Sequence, residues 1–208
     1  LRQSRVIARA EMTAFGGWSA PAGKWAVMLF IDSPTRMQVK RPTLGMEGYV
    51  LDHFNQKSLS VFLEAVGDRT LRELQSIAPR PIHSVFCDSL EVYGADWTGA
   101  VIPEFKRRRG YDLQSYLPAL WENAGPLTPH VRYDYHLTLS ELILENFFRP
   151  LVKWSEAHGI TARIQAHGAM GDVMRGYSLA HIPEGEDNPG HDRYVVNLQH
   201  RRLASSAG

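Results

Sequence analysis

Three short apolar runs, separated by longer stretches with helical spacing, constrain what this chain can fold into. The runs occupy residues 25–31, 84–87 and 160–166. The first two are near-continuous apolar runs, which are typical of strands buried on both faces of a parallel sheet, and the third alternates between apolar and polar residues, which also indicates a strand. We therefore predict that they form adjacent parallel strands with helices outside the sheet. This order of elements indicates an α/β fold whose sheet is either open or closed into a barrel.

The stretches between these runs carry helix signals. Gly67 with Asp68 should end the first predicted helix, and Pro150 should kink or break the longest one. Gly159 should cap the C-terminus of that long helix. Residues 181–183 form a further, very short extended piece. Apolar residues at helical spacing predict helices over residues 52–66, 71–77, 100–109, 113–121, 135–158, 170–179 and 194–207.

The composition narrows the possible partners. The 208 residues, 44% of them hydrophobic, suit one ordinary domain or part of a larger one. Lys and Arg total 23 against 22 Asp and Glu, so the net charge of +1 indicates no nucleic-acid partner. No run approaches the roughly 18 consecutive apolar residues of a membrane span. Cys87 is the one cysteine, which excludes an internal disulfide and a cysteine-based metal site. The compartment stays undecided, and a periplasmic or secreted parent protein is compatible with this composition.

Polar side chains follow the predicted strands at the points where the strands end. Asp88 and Glu91 follow the second run, His167 follows the third, and Glu184 follows the short extended piece. In a parallel α/β protein the carboxyl ends of the strands open onto the active site. We therefore expect these four side chains to converge on one face of the sheet.

Carboxylates on separate strand ends are what glycoside cleavage needs. One carboxyl group must protonate the leaving oxygen, and another must act as base or nucleophile. Tyr93 and Trp97 would be placed to stack on a sugar ring. Other interpretations remain open: Glu91 as a helix cap, Trp97 as a core or rim aromatic, and His167 as a hydrogen-bonded structural histidine. The chain contains no phosphate-binding glycine loop, no HExxH or GxSxG motif and no Asp-rich calcium loop.

Several strings of the sequence form an ordered set. The two longest are CDSLEVYGADWT at residues 87–98 and FKRRRGYDL at residues 105–113. The shorter ones are VKRP at 39–42, VLDHF at 50–54, RYDY at 132–135, QAHG at 165–168, IPE at 182–184 and RLASSAG at 202–208. Together they resemble the α-L-rhamnosidases of glycoside hydrolase family 106. The resemblance extends from about residue 25 to the C-terminus.

This resemblance implies a fold, a reaction and a cofactor. The fold would be a (β/α)8 TIM-type barrel, with residues 1–208 as a single domain that forms part of a larger catalytic barrel. The reaction would be inverting hydrolysis by paired glutamates, with a bound Ca²⁺. By resemblance, Glu91 occupies the general acid position, and Glu184 is an active-site glutamate that holds the calcium or the sugar. Asp88, Trp97 and His167 are then predicted to bind substrate.

The resemblance also implies a class of substrate and a position for the second catalytic glutamate. The substrate would be a terminal rhamnoside in an oligosaccharide, polysaccharide or other glycoside, which fits polysaccharide degradation. The base glutamate is expected on a strand after residue 207, so the 208-residue chain alone should be nearly inactive and marginally stable. Two alternatives stay open. One is another barrel glycosidase, such as a β-galactosidase-like enzyme, and the other is a non-catalytic carbohydrate-binding remnant.

Overall fold

The structure is a computed structural model that describes residues 20, 22–78, 82–168 and 170–185. Its contacts divide the chain into two compact units. The first, the sheet unit, combines residues 34–98 with 139–208, and the second, the helical unit, combines residues 1–33 with 99–138. Every residue predicted for the site belongs to the sheet unit: Asp88, Glu91, Trp97, His167 and Glu184.

The sheet unit contains three parallel strands. Strand β1 is Ser84–Cys87, β2 is Thr161–Ile164, and β3 is Ile182–Pro183, and they pair in the order β1-β2-β3. Ser84 pairs with Thr161 at one end of the β1–β2 ladder, and Cys87 pairs with Ile164 at the other. The predicted parallel pairing of the second and third apolar runs is therefore confirmed. The described residues show a three-stranded sheet with helices and not a complete barrel.

The prediction of a buried strand at residues 25–31 was wrong. The segment forms no strand, and several of its apolar side chains are exposed, with Val27 at 71% and Leu29 at 63%. A strand needs a neighbouring strand to pair with its N–H and C=O groups. The described residues provide no such ladder for this segment. The apolar composition of residues 25–31 indicates burial, and burial alone does not specify a strand.

The first helical region runs through the position where it was expected to stop. Helix α1 (Gln56–Phe62) continues through a π-helical turn (Leu63–Asp68) into α2 (Arg69–Gln75). Gly67 therefore does not break the helix, contrary to the prediction. A Cβ atom at Gly67 would lie 2.7 Å from Cζ2 of Trp154. The glycine is required because the Trp154 ring packs against that point of the helix.

The longest helical region also continues past its predicted break. Helix α5 (Thr128–Ile143) leads through a π-helical turn (Leu144–Phe148) into α6 (Arg149–Ala157). Pro150 lies in the first turn of α6, directly after the π-helical turn. Proline lacks an N–H and clashes with the preceding turn of a helix. The π-helical turn before Pro150 accommodates both effects without ending the helix. Gly159 follows with a positive φ of 67°, which confirms the predicted C-terminal cap.

In the helical unit, a polar contact joins two of the helical segments. Helix α3 is Val101–Arg109, close to the predicted 100–109. The predicted helix 113–121 is a 3-10 turn (Leu113–Tyr116) followed by helix α4 (Pro118–Trp121). The Tyr111 hydroxyl donates a hydrogen bond to Oδ2 of Asp134 over 2.9 Å. This contact ties the turn after α3 to α5.

Helix α7 (Val173–Leu179) lies within the predicted span 170–179. Asp172 caps it by accepting the Arg175 N–H over 3.0 Å, and the Asp172 N–H donates to Ser140 Oγ over 2.7 Å. The predicted helix 194–207 lies outside the described residues. In the part of the chain that is described, no helix has the length and apolar character needed to cross a membrane.

Candidate active site

The carboxyl ends of the three parallel strands form one edge, which we call the strand-end edge. Asp88 directly follows β1, His167 lies three residues after β2, and Glu184 directly follows β3. Two backbone hydrogen bonds extend the ladder at this edge, one from Gln165 N to Cys87 O over 2.9 Å and one from Glu184 N to Ile164 O over 3.0 Å. Parallel pairing therefore places the segments that carry the predicted site residues at the same end of the sheet.

The segment after β1 is built from tight turns around Glu91. The Glu91 N–H donates to Ser89 O, and the Val92 N–H donates to Leu90 O, each over 2.9 Å. Asp88 is exposed, and its Oδ1 accepts the Ser89 N–H over 2.8 Å. Glu91 therefore lies in a turn and does not cap a helix, because the next helix, α3, begins ten residues later.

Glu91 forms an ion pair with Lys40, a residue that sequence reasoning did not assign to the site. The Glu91 side chain is 43% exposed and the Lys40 side chain 55%, so the pair is open to solvent. Lys40 Nζ also lies 5.4 Å from the centre of the Tyr93 ring. The hydrogen bond to Glu91, together with the Glu91 charge, raises the pKa of Lys40. Lys40 lies in the string VKRP, which contributed to the family resemblance but not to the predicted site.

A short antiparallel pairing presents Lys40 to Glu91. Gln38 and Tyr49 form an isolated antiparallel bridge. The Val39 N–H donates to Gly48 O over 2.9 Å on the same ladder. Lys40 follows immediately, so these backbone bonds fix the start of the loop that carries its side chain.

The segments after β1 and β2 touch through a glycine. Gly168 has φ +81°, in the left-handed region that favours glycine. A Cβ atom at Gly168 would lie 3.3 Å from the carbonyl carbon and oxygen of Leu90. The backbone after β2 therefore rests against the residue that precedes Glu91.

His167 is buried, with 8% of its surface exposed. Its Nδ1 lies 2.9 Å from the hydroxyl oxygen of Tyr177, which is fully buried in α7. Burial raises the pKa of Tyr177, and the Glu184 charge raises it further, while a hydrogen bond with the His167 backbone acts in the opposite direction. Tyr177 was not among the predicted site residues, because nothing in the sequence links it to His167 before the fold is known.

Glu184 is held by two side chains of the β2 segment. Its Oε1 accepts a hydrogen bond from Gln165 Nε2 over 3.0 Å. Its Oε2 lies 2.6 Å from Arg163 Nε in an ion pair. The Arg163 guanidinium also lies 4.3 Å from the centre of the Phe86 ring on β1. The carboxylate of Glu184 is thus oriented and its charge is balanced.

The remaining predicted residue, Trp97, is half-buried. Its neighbour Thr98 is buried and donates a hydrogen bond to Asp52 Oδ2 over 2.7 Å. This bond fixes the backbone next to Trp97, and the role of Trp97 in stacking on a sugar stays a prediction. Cys87 is no candidate nucleophile, because burial, with a smaller contribution from the Asp88 charge, raises the pKa of its thiol to about 12.

The described residues test whether a calcium ion fits at Glu184. No group of three or more His, Cys, Asp or Glu side chains comes together in the ranges that the structure describes. Arg163 places a positive charge against one Glu184 oxygen, and Gln165 donates to the other. A cation would compete with both contacts, so these residues do not by themselves form a calcium site. Calcium binding at Glu184 stays a prediction.

Two open grooves in the sheet unit lie away from the residues just described. One is bounded by α5, α7 and the π-helical turn between α5 and α6, and the other lies between α1 and α6. Neither includes a predicted site residue. The first is lined by Glu141, Leu144, Glu145, Arg149, Arg175, Ser178 and Leu179, and the second by Gln56, Leu59, Ser60, Leu63, Glu64, Asp68, Pro150 and Trp154.

Comparison with known proteins identifies the family. The family model of glycoside hydrolase family 106, described as alpha-L-rhamnosidase, matches residues 5–206. The chain belongs to this family. Its members are glycoside hydrolases, so the resemblance found in the sequence strings is confirmed.

Two similar proteins are much longer than this chain. One, from Formosa agariphila, bears a name that assigns it provisionally as a beta-glucuronidase; it is 25% identical over 169 residues, which are 76% of this chain and 14% of that protein. The other is the solved rhamnosidase from Novosphingobium sp. PP1Y, with a TM-score of 0.59 and 23% identity over 73% of this chain and 16% of that chain. The structural likeness supports a common fold. The chain spans about one seventh of the length of these relatives.

Proposed function

We propose that this chain forms part of the catalytic module of an α-L-rhamnosidase and that Glu91 is its general acid. The observation that carries the proposal is the position of Glu91. It lies in a tight turn after β1, partly exposed, at the same edge of the sheet as Glu184. Family membership supplies the reaction class. The finer fold that we propose is a (β/α)8 barrel, of which β1, β2 and β3 are neighbouring strands.

The proposed chemistry assigns a proton to Glu91. A general acid donates a proton to the glycosidic oxygen as the bond to the sugar breaks. In the resting protein the Lys40 ammonium occupies the Glu91 carboxylate. A substrate oxygen must therefore take the place of Lys40 to reach that carboxyl group. Because the pair is exposed, an entering substrate is able to displace Lys40.

The second carboxyl group of the pair would activate water. Inverting glycosidases place their two carboxyl groups roughly 6.5–9.5 Å apart so that a water molecule fits behind the sugar. The resemblance assigns this base to a glutamate that is not among the described residues. Glu184, bound by Arg163 and Gln165, is fixed in orientation and suits a role in holding the sugar.

The other predicted residues have supporting parts in this proposal. Asp88 is exposed at the strand-end edge and is available to accept hydrogen bonds from sugar hydroxyl groups. Trp97 would offer a ring face to the sugar. The resemblance implies a calcium ion at Glu184, and such an ion would have to displace Arg163 and Gln165 from the carboxylate.

A β-glucuronidase is the second candidate. The name of the Formosa agariphila relative suggests it, and one observation in the structure favours it. Lys40 places an exposed ammonium group beside Glu91, and a uronic acid carries a carboxylate that would pair with that group. A rhamnoside has no such carboxylate.

A substrate panel separates these possibilities. The complete gene product should hydrolyse a nitrophenyl α-L-rhamnoside, while a β-glucuronide and a β-galactoside of the same aglycone remain uncleaved. Proton NMR of the first-formed sugar should show the inverted anomer. Preferential cleavage of the glucuronide would replace the proposal with the second candidate. Binding of rhamnosides without cleavage of any of them would identify a carbohydrate-binding protein.

A further inference from the structure

Helix α7 packs against the loop after β2 (residues 165–168). A Cβ atom at Gly176 would lie 2.8 Å from the Ala166 Cβ, so this glycine allows α7 to approach the loop closely. Tyr177, the next residue, is fully buried, and its hydroxyl lies 2.9 Å from His167 Nδ1. A close backbone approach and a buried hydrogen bond together fix His167.

On its other side the loop presses against the turn that carries Glu91. The Gly168 Cα faces the Leu90 backbone, with 3.3 Å from a built Cβ to the Leu90 carbonyl oxygen. That oxygen accepts the Val92 N–H, and the Glu91 N–H is bonded to Ser89 O. A shift of Leu90 would therefore move the backbone on both sides of Glu91. Backbone atoms cannot rotate away as a side chain can, so the contact transmits displacement.

We propose that Gly168, held in place by the hydrogen bond between His167 and Tyr177, positions Glu91 for proton transfer. This inference rests on the proposed function of Glu91 as the general acid. His167 and Tyr177 are then positioning residues that act through Gly168 and Leu90. The burial of the His167 ring, including its Nε2 atom, favours this role over a direct contact with the sugar.

The first test replaces Gly168 by alanine and compares the effect with the same substitution at a second glycine of nearly equal φ. Gly168→Ala adds a methyl group at φ +81° against the Leu90 backbone. Gly110→Ala is the control, because Gly110 has φ +82° and nothing lies within 4 Å of its Cβ position. Both variants place an alanine at nearly the same positive φ, but only Gly168→Ala should displace Glu91. Kinetics are measured on the complete gene product with rhamnosides of good and poor leaving groups.

The second test removes one hydroxyl group. Tyr177→Phe deletes the hydrogen bond to His167 and keeps the ring. Tyr111→Phe is the control, because it deletes a tyrosine hydrogen bond of the same 2.9 Å length that joins Asp134 instead. Unfolding midpoints of all four variants show whether the fold is kept.

The expected result is a loss that depends on the leaving group. Misplacement of a catalytic group by about 1 Å can cost roughly 100-fold in rate. We expect Gly168→Ala and Tyr177→Phe to lower kcat on the poor leaving group about tenfold more than on the good one, with KM little changed. The two controls should show no such difference. Equal losses on both substrates, or a rise in KM alone, would instead indicate that His167 contacts the sugar and would overturn the proposal.

A second readout does not depend on turnover. Hydrogen exchange, followed by mass spectrometry, should become faster at the amides of residues 89–92 in Gly168→Ala and Tyr177→Phe and stay unchanged in the controls. Unchanged exchange in all variants would overturn the positioning role even if the protein proves not to be a rhamnosidase. If Glu91→Gln shows no dependence on the leaving group while exchange rises as expected, the proposed function fails, and what stands is that Gly168 constrains the backbone around Glu91.

Discussion

Lys40 and Glu91, which are 51 positions apart in the chain, form an ion pair at the strand-end edge. The contact joins the loop after Gln38 to the turn after β1. Lys40 was not among the predicted site residues, whereas Glu91 was predicted to be the general acid. The resting protein thus holds Glu91 next to a positive charge.

This pair predicts the titration of Lys40. Its pKa lies above the ordinary 10.5 because Glu91 bonds to the ammonium and attracts it. Glu91→Gln should lower the pKa of Lys40 back toward 10.5, which ¹³C NMR of dimethylated lysines can follow. On the alkaline side, the pair keeps its contribution to stability until the pH approaches 10.5 and loses it as the pH rises through the raised pKa of Lys40. A Lys40 titration that is the same in both proteins would show that the pair does not exist in solution.

How far the sequence alone predicts this fold depends on the element. The β1 and β2 strands and helices α3 and α7 were predicted because apolar periodicity and capping residues are local signals. Residues 25–31 were wrongly predicted as a strand. Their apolar composition indicates burial, but it does not show whether another strand is available to pair with them. Gly67 was predicted as a helix break because its partner, Trp154, is 87 positions away and cannot be seen locally.

The predicted site shows the same division. Asp88 and Glu184 follow strands directly and Glu91 lies four residues after β1, and the parallel order of the strands is enough to bring their segments to one edge. Lys40 and Tyr177 reach the site residues through tertiary contacts, and no spacing rule indicates them. The sequence thus predicted the carboxylates but not the cation beside Glu91 or the phenol beside His167.

Gly67 provides a test of the packing. Alanine is normally the better helix former by about 1 kcal/mol, but here its Cβ would lie 2.7 Å from the Trp154 ring. Gly67→Ala should therefore destabilise the protein by about 1–3 kcal/mol, as overpacking does. Gly48→Ala is the control, because nothing lies within 4 Å of its Cβ position. Denaturant unfolding measures both variants, and stabilisation by Gly67→Ala would show that Trp154 does not pack there.

The chemistry of Cys87 tests the burial of its thiol group at the end of β1. Burial raises the pKa of its thiol from 9.0 to about 12, so at pH 8 the reactive thiolate is scarce. Alkylation of Cys87 by iodoacetamide should be roughly 1000-fold slower in the folded protein than in urea, since the thiolate is the nucleophile. When the complete gene product is used, peptide mapping follows Cys87 separately from any cysteine outside these 208 residues. Asp88→Asn should speed the reaction only slightly, because burial is the larger cause. Equal rates in folded and unfolded protein would contradict the burial of the thiol.

The ion pair of Arg163 with Glu184 predicts the response to calcium. Arg163 competes with a cation for the Glu184 carboxylate. Arg163→Met removes the competing charge and should increase the rise in unfolding temperature caused by added Ca²⁺. Glu184→Gln should abolish that rise, and Mg²⁺ serves as the control because it prefers a smaller, octahedral site. No response to calcium in any of the three proteins would contradict the assignment of Glu184 as a calcium ligand.

The role of Glu91 as the general acid is the central claim, and its most direct test is the effect of Glu91→Gln on leaving-group dependence. Glutamine keeps the size of the side chain but cannot donate an acidic proton. In the complete gene product, kcat/KM for a rhamnoside with a poor leaving group should fall by about 100- to 10,000-fold, the usual contribution of a general acid. A rhamnoside with a dinitrophenyl leaving group should lose far less, because that group departs without protonation. Equal losses on both substrates would contradict the account.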